Sequence, residues 1–202
     1  MTDFENIIKQ YSELIDDFLV IIIFLKMNDN TNMSLPFLYS HTLELAAKTA
    51  CYKLNLREGI KGHDILKILE LIKTKLHILE NYIPSKQDFK NYRKFWRPIT
   101  ETDNAVYMPA PKDIDRQELA YFIDNCMNLK YGFTADLTQV SAIQLCNEYV
   151  NPEFIKLLKV CRDTYSTQTL NVRLESKLGK SVTENSEIMS TVFKYLTETV
   201  TL

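Results

Sequence analysis

Apolar residues return at intervals of three and four along most of the chain, the period of a helix with one face turned inward. Over 3–27 the spacing is kept by Ile7, Tyr11, Leu14, Phe18 and Ile22. The run FLVIIIFL at 18–25 reads as a core segment, since it is far shorter than a bilayer span and Lys26 follows it directly. A polar loop, NDNTNMS, leads to a second helix over 35–56, with Ser34 as N-cap and Pro36 in the first turn, where its missing N–H costs nothing. The third helix, over 63–79, has the cleanest two-faced pattern. Ile65, Ile68, Leu69, Ile72, Leu76 and Leu79 share one side, opposite Lys67, Glu70, Lys73 and His77.

Further along, Ser85 with Asp88 three residues on forms a capping box that opens a helix over 86–96, and Pro98 closes it. Residues 99–112 read as a loop, and a helix over 115–129 ends near Gly132. Two more helices are predicted over 137–150 and 152–165, with Asn151 capping the second ahead of Pro152. The tail 166–186 has little capacity to form a core, and a short helix over 188–197 ends the pattern. No repeat or low-complexity tract occurs. The prediction is an all-α protein, a helical bundle over 1–132 with a helical extension over 133–202.

Composition agrees with the periodicity. Four Gly and six Pro in 202 residues are too few for the turns of an all-β fold. With 46% hydrophobic and 25% charged residues and a formal charge of −2, the chain reads as globular rather than disordered, and as a poor match to a strongly basic nucleic-acid binder. Cys51, Cys126, Cys146 and Cys161 stand far apart, which predicts reduced thiols in a cytoplasmic protein and no zinc site. The opening MTDFENIIKQ is acidic where a secretory signal would be basic, and no membrane association is expected.

Several of these features occur together in a known family. Pro36, the stretch YSHTLELAAKT with Glu44 and Lys48, a short turn, and GHDILKILE with Gly62, His63 and Asp64 resemble the HEPN domain (higher eukaryotes and prokaryotes nucleotide-binding). NYRKFWRP is similar to an Arg-aromatic-Pro region that some members carry, and the resemblance covers roughly 5–132. It implies an up-and-down bundle of four to five helices, commonly a homodimer. It also implies binding of RNA, a nucleotide or a protein partner in phage defence, toxin–antitoxin or stress response, with a nucleotidyltransferase-type antitoxin as one partner. Active members cleave RNA through an Arg-x4-6-His motif; others are non-catalytic interaction modules.

Three groups of residues could carry chemistry. Arg57 and His63 fit the Arg–His spacing: a neutral imidazole can take the proton of a ribose 2′-hydroxyl while a guanidinium holds the phosphate, without metal or cofactor. The same letters also read as structure, with Arg57 at a helix C-terminus, Gly59 and Gly62 in a turn, and His63 or Asp64 capping the next helix. Glu44 and Lys48 are four apart, in the order that lets one helix pair them, and could form a polar centre with His63 and Asp64 if the second and third helices pack antiparallel. That centre could equally be a network fixing helix register.

The third group is basic and aromatic. Lys86, Lys90, Arg93 or Lys94, and Arg97 form one stripe, and Phe89, Tyr92, Phe95 and Trp96 another. Such a surface could hold phosphates and stack bases, or dock on the bundle through its rings while its lysines stay in water. Lys90, Arg93, Trp96 and Arg97 are its candidate binding residues. LGKS at 178–181 is not a phosphate loop, because the position that needs glycine is Leu174.

Overall fold

In the computed structural model, residues 3–27, 34–95, 113–124 and 150–163 are described. Among them are seven α-helices, one 3-10 turn and no strand: α1 Asp3–Met27, α2 Ser34–Lys53, α3 Arg57–Lys61, α4 Ile65–Lys73, the 3-10 turn His77–Asn81, α5 Lys86–Phe95, α6 Ile114–Asp124 and α7 Pro152–Asp163. The fold is an all-α helical bundle, as the periodicity predicts. Trp96, Arg97, the loop over 99–112 and the elements predicted over 137–150 and 188–197 lie outside the described residues.

The bundle is built around α2, which packs against α1, α3, α4, α6 and α7. Its sequence suits a central helix, being rich in small and apolar residues apart from the side that carries His41, Glu44 and Lys48: Thr42, Ala46, Ala47, Thr49, Ala50 and Cys51 are all 0% exposed. Small side chains let neighbouring helices approach closely. The Thr42 and Thr49 hydroxyls donate to the carbonyls of Leu38 and Leu45 one turn back, at 2.6 and 2.7 Å, so neither is left unpaired in the core. The Ser40 hydroxyl crosses to α6, donating to the Phe122 carbonyl at 2.9 Å. Beside it the Tyr39 ring stacks on Phe122 and meets Phe154 of α7 edge-on, both at 4.5 Å between centroids.

α1 runs antiparallel to α2, since Phe4 meets Tyr52 near the end of α2 and Phe18 meets His41 near its start. α7 lies in the stretch assigned by sequence to the C-terminal extension. It contributes Phe154, Leu157, Leu158 and Cys161 to the same core, so the bundle takes in residues on both sides of position 132.

Two helix boundaries differ from expectation. α2 ends at Lys53 rather than at 56, because Asn55 turns into the left-handed region with φ 58°. The Leu56 N–H then bonds to the Cys51 carbonyl at 2.8 Å and the Asn55 N–H to the Tyr52 carbonyl at 3.2 Å, the paired bonds of a Schellman cap. The helix predicted over 63–79 breaks after Lys73. Thr74 and Lys75 turn, and the 3-10 segment brings Leu79 to full burial.

The local caps fall where the letters place them. Ser85 and Asp88 exchange hydrogen bonds, the Ser85 N–H donating to Asp88 Oδ2 at 2.6 Å and the Asp88 N–H to Ser85 Oγ at 3.2 Å. Asn151 Oδ1 accepts from the Phe154 N–H at 3.0 Å and opens α7.

Candidate functional site

The polar centre sits where the middle of α2 meets the junction between α3 and α4. Glu44 is 1% exposed, and a lone carboxylate at that depth would carry a large desolvation cost. Lys48, one turn along, offsets it with Nζ 2.8 Å from Oε1. His63, reaching in from the junction, places Nδ1 2.9 Å from the same oxygen. His41 approaches the other oxygen, with Nδ1 3.8 Å from Oε2, and its ring is stacked on Phe37 at 5.4 Å between centroids. Two of the chain's three histidines therefore converge on one buried carboxylate.

His63 is the member that faces outward, with 45% of its side chain exposed. With Nδ1 engaged by Glu44, the free ring nitrogen is Nε2. It can accept a hydrogen bond from the neutral ring or donate one from the imidazolium. A carboxylate that fixes the tautomer and orientation of an imidazole is the arrangement in which histidine serves as a base or a phosphate ligand.

Asp64 points elsewhere. Its side chain accepts from the Lys67 N–H at 3.1 Å and pairs with the Lys67 ammonium at 3.1 Å, so it caps α4 and lies outside the Glu44 cluster. Arg57 is exposed and opens the five-residue helix α3, so it does not sit at the end of α2 as the structural alternative proposed. The Nδ1 of His63 is engaged by Glu44.

The glycines of the segment also differ from the sequence expectation. Gly62 has an ordinary extended backbone, with φ −79° and ψ 162°. Gly59 is buried within α3, where a Cβ would lie 2.4 Å from Cys51 Sγ, so its role is close approach to α2 and not a turn.

The basic and aromatic stripe is largely spent on packing. Phe89 and Tyr92 are buried at 9% and 6% exposure, so neither offers a face to a base. Arg93 grips Asp124 of α6 through two nitrogens, Nη2 to Oδ1 at 2.9 Å and Nε to Oδ2 at 3.1 Å. The Tyr92 hydroxyl donates to the same carboxylate. Burial, reinforced by that bond, pushes the Tyr92 hydroxyl up to about 12. Lys86 and Lys90 stay in water. Among the described residues of the stripe, the rings of Phe89 and Tyr92 dock on the bundle, while Trp96 and Arg97 lie outside the described residues.

Two polar junctions escape sequence inspection. Arg116 ties α6 to α5, α7 and the bend before α5, donating to the Ile83 carbonyl at 2.9 Å and pairing with Glu153 at 3.1 Å and Asp88 at 3.4 Å. Asn151, 0% exposed, donates through Nδ2 to Glu118 at 2.6 Å and to the Asp115 carbonyl at 2.9 Å. Among the described residues no group of His, Cys, Asp and Glu is arranged to hold a metal, and no helix is long and apolar enough to cross a membrane. The chain matches no protein-family model, no curated protein and no solved structure.

Proposed function

We propose that this chain is a HEPN-like helical protein that binds RNA or a nucleotide at the edge where His63 emerges, in a phage-defence, toxin–antitoxin or stress setting. The observation that supports this reading is the hydrogen bond from His63 Nδ1 to the buried Glu44, which holds a half-exposed imidazole with Nε2 available to a phosphate oxygen. The resemblance supplies the setting, a homodimer and a nucleotidyltransferase-type antitoxin as partner. Because Phe89 and Tyr92 are buried and Arg93 is paired with Asp124, this reading rests on the Glu44 cluster rather than on these residues of α5.

A second reading, a metal-independent endoribonuclease, draws on the same hydrogen bond, because a carboxylate-oriented imidazole is equipped to take a 2′-hydroxyl proton. Arg57, exposed six positions earlier, would hold the phosphate. A single variant separates both readings from a purely structural role. His63→Asn keeps an N–H donor near the place of Nδ1 and removes Nε2. Fluorescence anisotropy with single-stranded RNA and with nucleoside phosphates should show weaker binding for this variant at an unchanged melting temperature. Loss of RNA cleavage beside it would favour the enzyme. Binding equal to the unmodified protein sinks the assignment of His63.

A further inference from the structure

From Phe37 to Tyr52 every residue of α2 is buried except four, Phe37, His41, Lys48 and Tyr52, which are partly exposed. On a helix these four fall within an arc of about 60°, so they form one line, about 22 Å long, down the side of α2. The line is the floor of a groove. α1 stands along one side of it, with Phe18 against His41 and Phe4 and Tyr11 against Tyr52, at 5.4, 5.6 and 6.1 Å between centroids. Glu44 and Cys51, which meet His63 and Gly59, lie about 60° and 80° round α2 from His41, so the α3–α4 junction forms the other side. Both walls pack on α2, yet among the described residues α1 packs closely on neither α3 nor α4.

The chemistry changes along the groove. Phe37 and His41 are stacked at one end, and Phe4 meets Tyr52 at the other. Midway between them, at the level of Glu44, are the outer nitrogen of His63 and the Lys48 ammonium. Phe4 is 51% exposed and so keeps a ring face toward solvent. Glu13 and Asp17 of α1 are paired already and lie about 140° and 100° round that helix from Phe18, off this wall. Rings on either side of a cationic centre suit a single nucleic-acid strand, whose bases stack while its phosphate is held. With only two cations in the groove, and Asp3 beside Phe4, stacking has to supply most of the affinity.

We propose that this groove holds a segment of about three nucleotides of single-stranded RNA, its bases against Phe4–Tyr52 and Phe37–His41 and one phosphate between them at His63. The proposal rests on the reading of His63 made above and narrows its ligand to a strand longer than a mononucleotide.

The test uses the full chain with a fluorescein-labelled uridine tetranucleotide in anisotropy, and uridine monophosphate as competitor. The tetranucleotide should bind at least about tenfold more tightly, with a log–log salt slope no steeper than about −1.4, the value for two phosphate contacts on a single strand. Phe4→Ala should weaken the tetranucleotide by about fivefold or more and leave the monophosphate unchanged, because the ring lies at the far end of the groove from His63. Phe4→Leu, which keeps apolar packing on Tyr52 without a ring, should behave in the same way. His63→Asn should weaken both ligands. Equal affinity for the two ligands, a tetranucleotide indifferent to both Phe4 variants, or a salt slope of about −3 or steeper overturns the groove and leaves the His63 reading standing. Failure of the unmodified protein to bind either ligand overturns both.

Discussion

His63 Nδ1 and Glu44 Oε1, nineteen residues apart in sequence, meet at 2.9 Å and fasten the α3–α4 junction to the middle of α2. Lys48 holds the same oxygen at 2.8 Å from within α2, so the carboxylate is shared between a fixed partner on its own helix and one from outside. The energetic consequence is asymmetric. Taking away one partner strands a buried charge, whereas removing charge on both sides relieves desolvation.

Lys48→Met should therefore be costly, about 3 kcal/mol, because it leaves Glu44 buried with only imidazole partners. Glu44→Leu combined with Lys48→Met should recover most of that loss, since it replaces a buried ion pair with apolar volume. Urea unfolding of the two single variants and the double variant gives the coupling directly. Additive losses would show that the pair is not the electrostatic unit its geometry describes.

The contact between Gly59 and Cys51 is steric. A Cβ at position 59 would stand 2.4 Å from Cys51 Sγ, and Cys51 is 0% exposed. Gly59→Ala should destabilise the protein by about 1–3 kcal/mol despite the better helix propensity of alanine. Cys51→Ala in the same chain should restore part of the loss by clearing the sulfur. A Gly59→Ala protein as stable as its parent would mean that α3 does not press on α2.

Arg93 gives a prediction of the opposite kind, in which stability changes and binding does not. Its fork on Asp124 is partly exposed, so Arg93→Ala should cost only about 1 kcal/mol, seen as a small fall in melting temperature. RNA or nucleotide binding should be unaltered, since the guanidinium is already committed to α6. Salt-sensitive binding that weakens in this variant would return the nucleic-acid surface to α5.

What the sequence reveals about this molecule is decided by the range of each interaction. The Ser85–Asp88 box and the Asn151 cap act over three residues and can be read from letters alone. Glu44 with His63 is legible only as a conditional, since the pair forms if α2 packs against the following helix. Arg116 is illegible, because its partners come from α5 (Asp88), α7 (Glu153) and the bend before α5 (Ile83), and no local pattern marks the residue that will join them. Arg57 is legible by its spacing from His63, but the count alone does not reveal that the His63 ring is held by Glu44. Gly59 misleads, because glycine suggests a turn and here supplies clearance inside a helix.

Alkaline pH should expose the buried acids of the core. Burial pushes the Cys51 thiol from an ordinary 9.0 to about 11, and burial together with the neighbouring Cys51 pushes Cys161 from 9.0 to about 12. Tyr92 and Tyr121, both buried, rise from 10.0 to about 12. Each of these groups is neutral when protonated, so the native state retains protons that the unfolded chain has released. Stability is then level below about pH 9 with respect to these groups. It falls as the unfolded thiols ionise above 9 and the unfolded phenols above 10, and the decline continues until the native groups titrate near 11 to 12. Chemical denaturation measured between pH 8 and about 11 should show this progressive loss. Cys161→Ala should flatten the part that begins near 9, whatever its effect on stability at pH 8. A slope unchanged by removing that thiol would show that Cys161 ionises as readily in the folded protein as in the unfolded chain.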